Sequence, residues 1–160
     1  MSKQNTQFQN AAAQLRTFLQ ANQMRCTKER LAILETIYET DKPFTIDDLM
    51  EMMVQKRFLV SMATLYAATD LFARANLLLR HPAPTASALF QRIPDSRTSC
   101  YLICNSCHKV TTLDKKDVTE LIESIPTKRF SPSHRITYIY GLCTRCKTKQ
   151  KRQLEKQKKY

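Results

Sequence analysis

The sequence predicts an α+β chain of two small domains, a helical N-terminal half and a strand-rich C-terminal half closed by a metal ion. Three observations carry that reading. Capped segments of helical periodicity fill the first 75 residues. After His81 the pattern changes to short apolar runs punctuated by proline. Four cysteines then form two CxxC pairs, Cys104 with Cys107 and Cys143 with Cys146, with thirty-five residues between the pairs. A chain of 160 residues can hold one large domain or two small ones, and small domains with limited cores gain most from a metal staple.

The helices follow in order. Residues 7–21 are rich in Ala, Gln and Leu and lack Gly and Pro, with Phe8, Ala12, Leu15, Phe18 and Leu19 on one face. Thr27 can cap a second helix on which Leu31, Leu34, Ile37 and Tyr38 share a face. Asp41 and Pro43 break it. Thr45, Asp47 and Asp48 suit the start of a third helix over 45–56, since acids are favoured at a helix N-terminus. Its Leu49, Met52 and Met53 are core residues. Ser61 caps a fourth helix over 61–75, followed by the strand-like LLLR of 77–80. Helix, helix, short helix, helix, strand is the layout of a winged helix-turn-helix, with 45–56 as support helix and 61–75 as recognition helix. At about 100° per residue, Ser61, Leu65, Ala68, Thr69 and Phe72 point inward and Ala63, Tyr66, Ala67, Asp70 and Arg74 outward. In a major groove, Tyr66 would meet a thymine methyl or a phosphate, while Asp70 would repel phosphate. A plain surface helix is the alternative.

Residues 82–86 (PAPTA) read as a wing tip or a hinge between domains. Strands are expected over 88–93, 100–103 and 108–114. A helix over 115–125 should turn Val118, Leu121, Ile122 and Ile125 inward, and Pro126 ends it. A long strand over 129–143 carries the second cysteine pair. Gly141, the chain's only glycine, is expected where the backbone turns sharply into that pair. An exposed helix over 144–157 closes the chain. The expected division is 1–84, 85–147 and a basic tail, 148–160.

Two residues between thiolates let a tight turn place both sulfurs on one ion. Cys104, Cys107, Cys143 and Cys146 therefore read as one tetrahedral structural zinc, one ion per protomer. Disulfides of a secreted protein and redox-active dithiols are the alternatives. The opening MSKQNTQFQN lacks the apolar core of a secretory leader, and no apolar run reaches membrane-spanning length. A reducing cytoplasmic setting without a membrane role is expected, where thiolates bind metal rather than pair. The net charge is +12. It is uneven: ten basic and eight acidic side chains lie in 1–84, nine and five in 85–146, and seven and one in 147–160. Such an excess favours polyanions, double-stranded DNA above all, or serves as a solvated face. No residues suggest a catalytic base or substrate pocket, so no enzyme is expected.

Four stretches together resemble the Fur (ferric uptake regulator) family of bacterial metalloregulators. TKERLAIL at 27–34 is similar to TPQRLAIL, and SMATLYAATDLF at 61–72 to S-x-A-T-V-Y-R-T-L-x-x-L. YLICNSCHKV at 101–110 is similar to H-L-I-C-x-x-C-G-K-V, and HRITYIYGLCTRC at 134–146 to H-x-x-x-x-x-G-x-C-x-x-C. The resemblance spans roughly residues 10–147. It implies a regulator that binds palindromic DNA through the helix at 61–75, with 85–147 as a dimerisation domain. The homodimer would form partly by pairing strands near 131–141, and the four cysteines would match the family's structural zinc site.

The departures set further expectations. Ala67 follows Tyr66 where the family carries Arg, removing a donor to phosphate or guanine. Arg25, Lys28, Arg30 and Arg57 remain as phosphate contacts, beside Ser61, Thr64 and Tyr66 on the fourth helix. The run before Cys104 holds no histidine, Gln91 and Thr112 stand where acids are usual, and the hinge histidine is replaced near Pro43 or Phe44. Of the usual regulatory ligands only His134 keeps its place, too few for a borderline divalent ion. Cys100, with His134 or with His108 and Tyr101, could instead ligate a soft metal or a haem iron, or act as an oxidation sensor. The bland readings are a hydrogen-bonded His134 and small apolar roles for Cys100 and Cys26. The expected function is a Fur-like regulator with structural zinc and a depleted regulatory site. A zinc-stapled interaction protein without specific DNA binding, or a thiol redox protein, is the alternative.

Overall fold

The computed structural model describes residues 3–82, 88–93 and 98–157. The chain forms two compact units, Met1–Ile93 and Pro94–Tyr160. The first holds α1 (Lys3–Ala21), α2 (Lys28–Tyr38), α3 (Ile46–Gln55), α4 (Met62–Arg74), β1 (Leu78–His81) and β2 (Leu89–Arg92). The second holds β3 (Thr98–Cys104), β4 (Val110–Thr112), α5 (Lys116–Ser124), β5 (Arg135–Gly141) and α6 (Thr144–Gln157).

In the first unit α2, α3 and α4 each start on the cap the sequence offers. The Thr27 hydroxyl accepts from the Arg30 amide, and Ser61 from the Thr64 amide. Thr45 and Asp48 form a reciprocal capping box, satisfying backbone donors that lack helical partners. Three helices end alike. After α1, Met24 N–H donates to Leu19 O (2.8 Å) and Gln23 N–H to Gln20 O (3.1 Å). The ends of α3 and α4 repeat this pairing at Arg57 and Asn76. These are Schellman closures, and Gln23, Arg57 and Asn76 take the left-handed position with φ of 55°, 56° and 54°, which glycine usually fills. Leu15 and Leu19 of α1, Ile33, Leu34 and Ile37 of α2, Leu49 and Met53 of α3, and Leu65 and Phe72 of α4 close the core. Each such burial contributes about 1.5–3 kcal/mol.

β1 and β2 pair antiparallel, with Leu78 opposite Arg92 and His81 opposite Leu89. Phe44, just before α3, bridges to Phe90 through two 2.8 Å backbone hydrogen bonds, and the two rings stack. This is the wing of the helix-turn-helix unit. It moves the expected boundary: residues 88–93 were assigned by pattern to the second domain, but pairing with 78–81 holds them in the first, and the units divide after Ile93. The segment expected as a wing tip or hinge lies between β1 and β2. Its residues 83–87 lie outside those described.

In the second unit the strand order is β4-β3-β5. β3 is antiparallel to β4 and parallel to β5, with Thr98 opposite Arg135 and Cys104 opposite Gly141. Three expectations fail here. The strand expected over 129–143 covers only Arg135–Gly141, because Pro132 and the turn before it keep 129–134 out of the ladder. Gly141 closes the strand without a positive φ, so no conformational freedom is being used there. On α5, Val118 and Ile122 are half-buried, but Leu121 is exposed, at 68%, as is Ile125 just past the helix end, at 55%. The sheet end covers only one flank of that short helix, through Thr98 Oγ1 donating to Glu123 Oε1 (2.9 Å) and Arg135 to the carbonyls of Ile122 and Glu123.

Candidate metal centre and nucleic-acid interface

The parallel register that sets Cys104 against Gly141 brings two knuckles together. One is the turn leaving β3, with Cys104 and Cys107. The other joins β5 to α6, with Cys143 and Cys146. Asn105 N–H donates to Gly141 O (2.7 Å), and His108 N–H to Cys104 O (2.9 Å). The four Sγ atoms lie within 4.8 Å of one another, and Cys107 and Cys143 Sγ are 3.7 Å apart. A tetrahedral zinc with Zn–S of about 2.3 Å needs sulfurs about 3.8 Å apart, so the donors fit that ion. All six cysteines are free thiols.

Backbone amides prepare the site for anionic sulfur. Cys143 N–H points at Cys104 Sγ (3.3 Å). With the amides of Cys107 and Ser106 it lowers the Cys104 thiol to about 6, into thiolate at neutral pH. Cys146 moves the other way, to about 11: the Ser106 hydroxyl lowers it, but the neighbouring Cys143 and Cys107 sulfurs and burial outweigh that bond. Crowded thiols resist simultaneous ionisation, and a bound cation would remove that conflict. Four protein ligands leave no open position, the arrangement of a structural rather than a catalytic ion.

In the helix-turn-helix unit, Leu65, Ala68, Thr69 and Phe72 of α4 are buried while Ala63, Tyr66, Ala67, Asp70 and Arg74 are exposed. Tyr66 is 57% exposed. Ser61 was expected inward but is exposed, because it sits at the cap before the first turn. Its hydroxyl pairs with Thr64 Oγ1 (2.8 Å), so both hydroxyls serve the cap. Arg57 is exposed in the turn between α3 and α4. Arg25, Lys28 and Arg30 gather at the start of α2. Arg25 and Lys28 are exposed, while the half-buried Arg30 donates to the Arg25 carbonyl.

The structure does not bring Cys100 and His134 together. Cys100, 4% exposed, lies opposite Thr137, three residues or about 10 Å along the strand from His134. Tyr101 stacks on Tyr138 at 5.8 Å, and strand alternation sets Cys100 on the opposite face. His108 lies beyond the first knuckle. The four cysteines form the only cluster of three or more metal-ligating side chains among the described residues.

A polar cluster in the wing escaped sequence reading. The His81 ring Nε2 and Gln91 Oε1 are 2.9 Å apart, and Gln91 Nε2 donates to Asp41 O (2.8 Å). Arg92 pairs with the Asp41 carboxylate and lies over the Tyr38 ring, 5.7 Å from its centroid. Burial lowers the His81 pKa below 6.5, partly offset by the Gln91 bond. Gln91 is thus an internal hydrogen-bonding group. The available signal was His81 and Gln91 at alternate positions in two strand-like runs, but it needed the register to be used.

The ferric uptake regulator family model matches residues 21–139. The ferric uptake regulation protein of Neisseria meningitidis serogroup A is 25% identical over 135 residues, covering 81% of this chain and 90% of its own. A Helicobacter pylori ferric uptake regulator structure, described as having three functional metal-binding sites, superposes with a TM-score of 0.68. It shares 14% identity, with 88% of this chain and 93% of that one covered. A zinc uptake regulator complexed with zinc and DNA superposes at 0.51 with 19% identity, covering 94% and 99%. With the fold, the paired cysteine knuckles and this match over most of its length, the chain belongs to the ferric uptake regulator family.

Proposed function

We propose that the chain is a dimeric, DNA-binding transcription regulator of the reducing cytoplasm, with one zinc held by Cys104, Cys107, Cys143 and Cys146. The observation that carries the DNA reading is the exposed face of α4, presented by a capped helix-turn-helix with a paired wing. Ala63 and Ala67 leave room for a groove wall, and Tyr66 stands clear of the unit. Arg25, Lys28 and Arg57 would take phosphates, with Ser61 and Thr64 holding the helix start in place. Family membership and the likeness to a regulator complexed with DNA support the same reading.

The dimer is supported by uncovered apolar surface. β5 uses one edge on β3 and leaves the other unpaired among the described residues. Ile139, Tyr140 and Leu142 are exposed there, as are Leu121, Ile125 and Phe130 around α5. A second copy pairing at this edge would bury them and impose two-fold symmetry on the DNA site.

Selection of duplexes from a random pool tests the reading. The expected result is a two-fold symmetric sequence bound at least about a thousandfold more tightly than random duplex. Equal affinity for every duplex would favour the zinc-stapled interaction protein, a reading to which exposed Asp70 and the absence of a donor at Ala67 lend weight.

A further inference from the structure

We propose that α6 is a second DNA-contacting element, a basic stripe that grips the duplex backbone without reading sequence. It extends the DNA-binding reading above and rests on it. α6 starts inside the second knuckle, with Lys147 N–H donating to Cys143 O (2.9 Å), so the metal centre fixes its first turn. At about 100° per residue, Arg145, Lys149, Arg152 and Lys156 fall within about 60° of the helix circumference. They stand four, three and four residues apart, a line about 16 Å long at 1.5 Å per residue. Thr144, Thr148 and Gln153 flank them along the same open surface.

Nothing in the fold accounts for the stripe. No residue of α6 is buried, so the stripe does not cover a core. None of the four cations is in an ion pair among the described residues. Adjacent like charges at these spacings weaken a helix by about 0.2–0.5 kcal/mol per pair, and Arg145 in the first turn also opposes the helix dipole. A polyanion laid along the stripe removes that repulsion. The side-chain chemistry selects among polyanions. Leu154 is the only leucine, isoleucine, valine or aromatic residue of α6, so the helix lacks the apolar face a membrane surface requires. Without aromatic rings it has no platform for unstacked bases of a single strand. What remains is the duplex backbone, which along one strand presents a charge about every 3.4 Å of rise.

The test uses the full chain and a random-sequence duplex, with affinity followed against salt. Four proteins are compared: the unaltered chain, R145Q/K149Q, K147Q/K151Q and R145Q/K149Q/R152Q/K156Q. Lys147 and Lys151 lie off the stripe, so the two double variants lose equal charge. Far-UV circular dichroism and zinc content establish that each variant keeps α6 and its anchor. The slope of log affinity on log salt should lose about 0.9 per stripe cation that meets a phosphate, up to about 3.6 for the quadruple variant. K147Q/K151Q should leave it nearly unchanged. Equal slope losses in both double variants, or none in the quadruple variant, overturn the proposal. So does quadruple-variant binding that is normal to duplex but lost to anionic phosphatidylserine vesicles. A wild-type chain with no sequence preference would defeat the regulator reading while leaving this slope comparison intact. A preferred site bound with the same salt slope by all four proteins would defeat only the stripe.

Discussion

At the scale of single residues, the chain spends almost no glycine. Gln23, Arg57 and Asn76 close helices in the left-handed region, and His108 takes φ 57° just after the first cysteine pair, where the family pattern carries Gly. A side chain there costs about 1–2 kcal/mol, partly offset by glycine's larger entropy in the unfolded chain. Gln23→Gly should therefore raise the unfolding free energy by about 0.5–1 kcal/mol, and His108→Gly by a similar amount with the zinc retained. Denaturant unfolding measures both, and a loss of stability in either would contradict this reading of its backbone. The four cysteines were legible at this scale because spacing alone encodes a knuckle. His81 and Gln91 were not, because their partnership exists only once the wing strands are in register.

At the scale of elements, the helices of the first unit were readable because their caps and apolar periods are local. Thr27, Thr45 and Ser61 each begin the expected helix. The strands were less so. Residues 88–93 looked like the start of the second domain, and only their pairing to 78–81 assigns them to the wing. The expected inward face of α5 assumed a cover that one copy of the chain does not supply. The wing also carries a pH dependence. Burial depresses the His81 pKa, so below about pH 6.5 the unfolded chain takes up a proton that the folded chain refuses. Stability should then fall as pH drops through that range, by at most about 1.4 kcal/mol per pH unit from this group, until the folded pKa is reached. His81→Gln keeps a polar partner for Gln91 and should remove that part of the acid loss. Thermal melts at pH 7.5 and 5.5 compare the two, and identical acid losses would show that His81 is not the group responsible.

At the scale of the whole molecule, a helix-turn-helix unit is joined to a unit whose sheet and terminal helix meet at four sulfurs. The second unit buries little besides β3, and α5 and α6 bury no residue at all. With the proposed zinc bound, its stability would depend on the ion more than on a core, since a structural zinc can supply roughly 10–16 kcal/mol. No helix among the described residues is long and apolar enough to cross a membrane. The most direct test is the zinc content of the purified chain by native mass spectrometry, beside that of Cys143→Ser. The unaltered chain should carry one zinc, and Cys143→Ser should lose it together with the α5 and α6 helical signal. No zinc in the unaltered chain, or a Cys143→Ser protein that keeps both its zinc and its helices, would contradict the account.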